Sequence, residues 1–263
     1  METGRTGPGI PGRAAVITGA SRGLGLATAG QLAFEGWDLA LCARGGEQLE
    51  RAAQGLRERY GRRVYARSAD VTDTAALDGF IDSAADRLGG VDALVTCVGG
   101  AFGGGLAEAS AEDWADTYRI NVEHPARAVR TALPYLRRSG GRVVLVASIS
   151  GWKPGPPAQY AAAKAGQIHL AATLARELGP DGVRVNAVSP GSMLIPGKGW
   201  DRLRKEHPER YRVFEREFPG GELVSPEDVA AVIAFLVSDR ARAVNGANIP
   251  VDGGQNAPSA YGY

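Results

Sequence analysis

The sequence predicts a doubly wound α/β fold: a parallel sheet of the Rossmann type with helices on both faces. Three observations carry that expectation. Strand-length apolar runs alternate with longer amphipathic stretches from residue 13 to residue 255. Gly-Gly, Gly-Pro and Asp-Gly pairs punctuate most of the junctions. The first apolar run feeds a glycine-rich turn that opens directly into a helix. Buried strands joined through helices call for a parallel sheet, and the right-handed crossover rule favours winding it in both directions.

Taken in order, the run Ala14-Ala15-Val16-Ile17 is the first strand, and a helix at 24–35 follows the glycine turn. Further strands are expected at 38–42, 64–67, 93–97, 142–147, 184–189 and 248–251. Helices are expected at 47–60, 74–88, 111–136, 158–178 and 226–236. The helix at 158–178 is rich in alanine and has Pro156 and Pro157 just before it. The long irregular segment 191–224 is polar, contains Pro196, Pro208 and Pro219, and holds a helical patch near 201–218. An insert of that length late in an α/β domain reads as a lid. No composition break marks a second domain, so residues 13–255 form one unit. Residues 1–12, rich in glycine and proline, read as a disordered lead-in, and residues 256–263 as a tail.

Thirty basic and 29 acidic side chains give a net charge of +1 without a basic block, which argues against nucleic acid as a partner. The longest apolar runs, such as 143–147, fall far short of the ~20 residues of a membrane span. Cys42 and Cys97 each sit in a strand-like run, which fits a reduced, cytoplasmic chain. His124, His169 and His207 are scattered, so no metal is expected.

Thr18-Gly19-Ala20-Ser21-Arg22-Gly23-Leu24-Gly25 has the glycines that a tight turn and a close backbone approach to a pyrophosphate require. Amides at the start of the helix would face the anion. The second strand ends in Ala43-Arg44, with no carboxylate to hold a ribose 2′-hydroxyl. Arg44 and Arg22 suit a 2′-phosphate instead, which predicts NADP(H). Asp70-Val71 closes the third strand; Asp70 either accepts a hydrogen bond from the adenine amino group or caps the next helix.

Tyr160 and Lys164 lie four residues apart, on one helical face and about 5–6 Å apart at Cβ. Only four residues of the chain are lysine, so this pairing stands out. A nearby ammonium would lower the phenol pKa from its usual ~10 and fit it for proton transfer.

The chain resembles the short-chain dehydrogenase/reductase family in its single-domain form, over about residues 13–255. The resemblance rests on the glycine turn, Asn121, Ser148, Tyr160 with Lys164, Pro190-Gly191 and the closing Val251-Asp252-Gly253-Gly254. It implies that Tyr160 is the general acid or base and that Lys164 lowers its pKa and binds the nicotinamide ribose. It implies that Ser148 holds the substrate carbonyl, with Ser150 as its competitor. Asn121 would hold a water linked to Lys164, and Pro190-Gly191 would turn the chain beside the nicotinamide. The family's Asn-Asn-Ala-Gly is here Thr96-Cys97-Val98-Gly99, which keeps only Gly99 and leaves Thr96 or backbone to replace the amides.

Phe102, Ser150, Trp152, Met193 and Trp200 are expected around the substrate, and their large apolar members suit a bulky cyclic or aromatic carbonyl compound. The expected activity is NADP(H)-dependent reduction of such a ketone. Epimerisation, dehydration or cyclisation on the same cofactor, and a nucleotide sensor without turnover, are the alternatives. Relatives pair through the helices corresponding to 111–136 and 158–178, and Ala161, Ala165 and Ala172 give the second a small-residue face. A homodimer or homotetramer is therefore expected.

Overall fold

A computed structural model describes residues 12–256. The lead-in and the tail, apart from Gly12 and Asn256, lie outside the described residues. Seven strands form one sheet in the order β3-β2-β1-β4-β5-β6-β7. They are β1 (Ala14–Thr18), β2 (Asp38–Ala43), β3 (Val64–Ser68), β4 (Ala93–Thr96), β5 (Arg142–Val146), β6 (Arg184–Pro190) and β7 (Asn248–Val251). Every pairing is parallel. The strand order reverses between β1 and β4, where an open α/β sheet leaves a crevice beyond its carboxyl ends.

Alternation along β1 explains the two helical layers. Ala15 and Ile17 point into one core with α1 (Gly23–Phe34), α2 (Gly46–Tyr60) and α9 (Pro226–Val237). Ala14 and Val16 point into the other with α3 (Thr74–Leu88), α5 (His124–Ser139) and α6 (Ala158–Leu178). Both faces of β1 are buried, as its unbroken apolar run requires.

Three expectations need correction. The helix expected at 111–136 is continuous in backbone but not regular: α4 (Ala111–Tyr118) passes into α5 through a π turn at Arg119–Glu123. Pro125 supplies the reason. It has no N–H for the carbonyl of Asn121, and the His124 amide bonds back five residues to Arg119 instead. The cap of α3 is Asp73, whose carboxylate accepts from the Ala75 and Ala76 amides at 2.9 and 3.0 Å, and not Asp70. The helical patch in the insert is a pair, α7 (Gly199–Glu206) and α8 (Pro208–Glu215), broken at His207-Pro208. A bridge between Met193 and Val224 ties the two ends of this excursion together. No helix among the described residues is long and apolar enough to cross a membrane.

Candidate active site

Beyond the carboxyl ends of β1, β4 and β5 lies a cleft of about 810 Å³, within the range of small-molecule and cofactor sites. Its first wall is the glycine turn. Gly19 has φ +73°, and a Cβ there would come 2.9 Å from the Val98 side chain. A Cβ on Gly25 would run into the Gly19 carbonyl oxygen, so helix and turn meet backbone to backbone. The N-terminus of α1 has neither a side-chain cap nor an acidic residue in its first turn. Its leading amides are thus left for an anion.

Gly19, Ser21, Arg22, Gly23, Leu24, Gly25, Arg44, Asp70, Val71, Gly99, Pro190 and Gly191 all line this cleft. Arg22 and Arg44 are exposed there and form no ion pair among the described residues. The Asp70 carboxylate accepts from the Thr72 amide and hydroxyl, which hold it below its usual pKa. A bare helix N-terminus, a glycine turn closed to side chains and two unpaired guanidinium groups fit a phosphorylated dinucleotide.

Ser148, Tyr160 and Lys164 line the floor. Ser148 follows β5, and its hydroxyl accepts from the Ser150 amide at 3.1 Å. Tyr160 and Lys164 stand one turn apart on α6, with the lysine Nζ 5.7 Å from the centre of the phenol ring. The ammonium is held by two acceptors. It donates to the Val146 carbonyl at 2.9 Å and to Gln167 Oε1 at 2.8 Å. The phenol pKa is not lowered, contrary to the expectation from the spacing. Burial raises it above 10, and a hydrogen bond with Ser148 opposes the rise. Burial drives Lys164 itself down to about 7.

Asn121 sits in the π turn, completely buried. Its Nδ2 donates to the carbonyls of Gly100 and Thr117 at 2.6 and 2.7 Å, and its Oδ1 accepts from the Gly100 amide at 3.3 Å. It thereby clasps the chain just after β4. Gln159, which the sequence reading passed over, does the same for the next stretch. It donates to the Phe102 and Gly104 carbonyls at 2.6 and 3.1 Å. Its position directly before Tyr160, at the start of a helix, was the available signal.

The geometry can be set beside known proteins. The sequence model of a family described as enoyl-(acyl carrier protein) reductase matches residues 19–256. The meso-2,3-butanediol dehydrogenase of Serratia marcescens is 35% identical, over 92% of this chain and 94% of its own. The chain belongs to the short-chain dehydrogenase/reductase family of oxidoreductases. Among solved structures, L-sorbose reductase from Gluconobacter frateurii, complexed with NADPH and L-sorbose, superposes with a TM-score of 0.89 at 34% identity, covering 95% of this chain and 98% of that one. A single-substitution variant of actinorhodin polyketide ketoreductase with NADPH superposes with a TM-score of 0.86 at 32% identity, covering 93% and 97%.

Where this short-chain dehydrogenase/reductase departs from Asn-Asn-Ala-Gly, Thr96 is fully buried and its hydroxyl has no partner among the described residues. Cys97 lines the cleft, and burial pushes its thiol up to about 12. Val98 fills the space beneath Gly19.

Of the side chains expected around the substrate, Phe102 and Met193 line the cleft, and Ser150, Trp152 and Trp200 do not. Trp152 is 49% exposed. Trp200 stacks on Phe214 at 3.7 Å between ring centres, inside the lid. The lid also contributes Ile195, another of its apolar residues, and Lys198 to the lining. Ile195 lies against Gly23, 3.3 Å from where a Cβ would stand, which brings the lid onto the glycine turn.

Proposed function

We propose that this oxidoreductase uses NADP(H) to reduce a bulky cyclic or aromatic ketone. The observation that carries the reading is the convergence of Ser148 and Tyr160 at the floor of a cleft whose far end is lined by Arg22 and Arg44. Arg44 and Arg22 would hold the 2′-phosphate, and the glycine turn the pyrophosphate. Phe102 and Met193 offer an apolar wall for a ring. The likeness to a polyketide ketoreductase with NADPH supports both halves of the proposal.

NADPH, when bound, would supply a hydride to the carbonyl carbon. Ser148 and Tyr160 would both donate hydrogen bonds to the carbonyl oxygen and stabilise it as negative charge develops. The Tyr160 proton would then pass to that oxygen to give the alcohol. A phenol raised above 10 is protonated at neutral pH, as an acid for reduction must be. Lys164 would stabilise the phenolate left behind. Ala165 is exposed and Ala161 and Ala172 half-buried on α6, which supports pairing of two or four copies through that helix; light scattering at micromolar concentration tests it, and a monomeric mass would contradict it.

The test of function mixes the protein with NADPH and a panel of quinones and cyclic ketones. Decay of the nicotinamide absorbance with at least one of them, abolished in Tyr160→Phe, is the expected result. Tight NADPH binding with no oxidation across the panel would overturn the reading.

A further inference from the structure

Lys164 is a buried cation, 2% exposed, and no carboxylate lies within hydrogen-bond reach of it among the described residues. An unpaired charge in such a place is unstable unless dipoles replace its lost water. Two do so. One is the Val146 carbonyl at the end of β5, which any sequence would provide. The other is the side chain of Gln167, at 2.8 Å, which depends on the residue at that position.

The orientation of that amide is fixed by chemistry. An ammonium only donates, so Gln167 must face it with Oε1. Its NH2 group is then left buried without a partner among the described residues. Gln167 is completely buried on the inner face of α6, where a leucine would leave no polar atom stranded. A buried amide that satisfies the lysine and leaves itself half-satisfied points to a role beyond packing.

The charges facing Lys164 from each neighbouring element sharpen the point. After β4 there is Cys97, a thiol pushed up to about 12 by burial and so neutral. From α5 comes His124, which burial pushes down to about 4. From α6 comes Tyr160, raised above 10. The π turn offers the neutral amide of Asn121, which crowds the same point beside Gly99 as the lysine does. Every titratable neighbour is uncharged at pH 7.

We propose that Gln167 is a positioning residue for Lys164: its carbonyl oxygen anchors the ammonium beneath Tyr160 and sets the pH at which the lysine loses its charge. The inference rests on the functional reading above, in which a charged Lys164 supports the tyrosine. It adds a polar residue one turn further along the helix to the machinery.

The test uses the whole chain with its lysines labelled at Cε with ¹³C and follows them by NMR against pH. Only Lys153, Lys164, Lys198 and Lys205 give signals, and Lys164→Met assigns the one that matters. The wild-type Lys164 signal is expected to titrate near 7. Gln167→Leu removes an acceptor and is expected to lower the midpoint by about one pH unit or more. Gln167→Glu places a carboxylate there and is expected to raise it. The opposed directions keep the test decisive if either variant fails to fold. The alkaline limb of the kcat profile for NADPH oxidation should move with the midpoints. Midpoints that coincide in wild type and variants, or that fall with Glu, overturn the proposal. Because the titration needs no substrate, shifted midpoints in a protein that oxidises no NADPH would sink the functional reading and leave the anchoring of Lys164 intact.

Discussion

The Nζ of Lys164 lies 2.9 Å from the point a Cβ on Gly99 would occupy, and Asn121 Oδ1 lies 2.7 Å from the same point. Gly99 is therefore the spacer around which lysine and asparagine are arranged. Both neighbours are held from behind, by Val146 and Gln167 on one side and by the Gly100 backbone on the other, so neither can yield freely. Gly99→Ala is expected to displace the ammonium and reduce NADPH-dependent turnover by about 10²-fold, the scale of loss that a misplacement of ~1 Å produces. Circular dichroism should show a folded protein. Unchanged kcat/KM would mean that the position of Lys164 does not matter.

Ser148 and Ser150 carry the same hydroxyl two residues apart, and only the first lines the cleft. Ser148→Ala is expected to lower kcat by on the order of 10²-fold, the loss usual when one donor to a developing oxyanion is removed. Ser150→Ala should stay within a few-fold of wild type, since its amide, not its side chain, contacts Ser148. Equal losses in the two variants would undo the assignment.

Arg44 stands at the end of β2 with no counter-ion in an ion pair among the described residues. A charge-assisted bond contributes about 1.5–3 kcal/mol, so Arg44→Ala should raise KM for NADPH by roughly 10- to 100-fold. KM for NADH should hardly move, because that dinucleotide has no 2′-phosphate. Initial rates with both coenzymes decide the matter. A wild-type preference for NADH would remove the claim that Arg44 reads the phosphate.

Much of this site was legible in the sequence because its parts are local. The glycine turn is eight consecutive residues between a strand and a helix, and Tyr160 with Lys164 needs only helical periodicity. The strand runs were legible for the same reason: both faces of β1 are buried, so its apolar run is unbroken. What escaped depended on contacts distant in sequence. Gln167 and Gln159 look like ordinary polar residues of a helix until β5 and the loop after β4 are brought against them. The direction of the Lys164 ammonium could not be read from spacing either, because a carbonyl 18 residues away captures it. That Trp152 and Trp200 do not line the cleft could not be read either, because size and apolarity do not say which way a side chain faces. The π turn within the helix at 111–136 was readable in principle, from Pro125.

His124 offers a prediction about stability rather than turnover. Its ring is buried, with Nδ1 3.3 Å from the Ile120 carbonyl oxygen and Nε2 without a partner among the described residues. Burial disfavours the imidazolium and pushes the pKa from 6.5 to about 4. Between those values the unfolded chain binds a proton that the folded protein does not, so acidification favours unfolding. The stability from a neutral His124 is fully present above pH 6.5 and is lost as pH falls to about 4, below which both states are protonated. Integrated over that window the loss is on the order of 3 kcal/mol. Urea unfolding at pH 7, 5 and 4 should therefore show a steeper decline for the wild type than for His124→Gln, which has no proton to take up. The carboxylates that also titrate in this range are common to both proteins and cancel in the difference. Parallel declines would show that the imidazole is not held neutral by its burial.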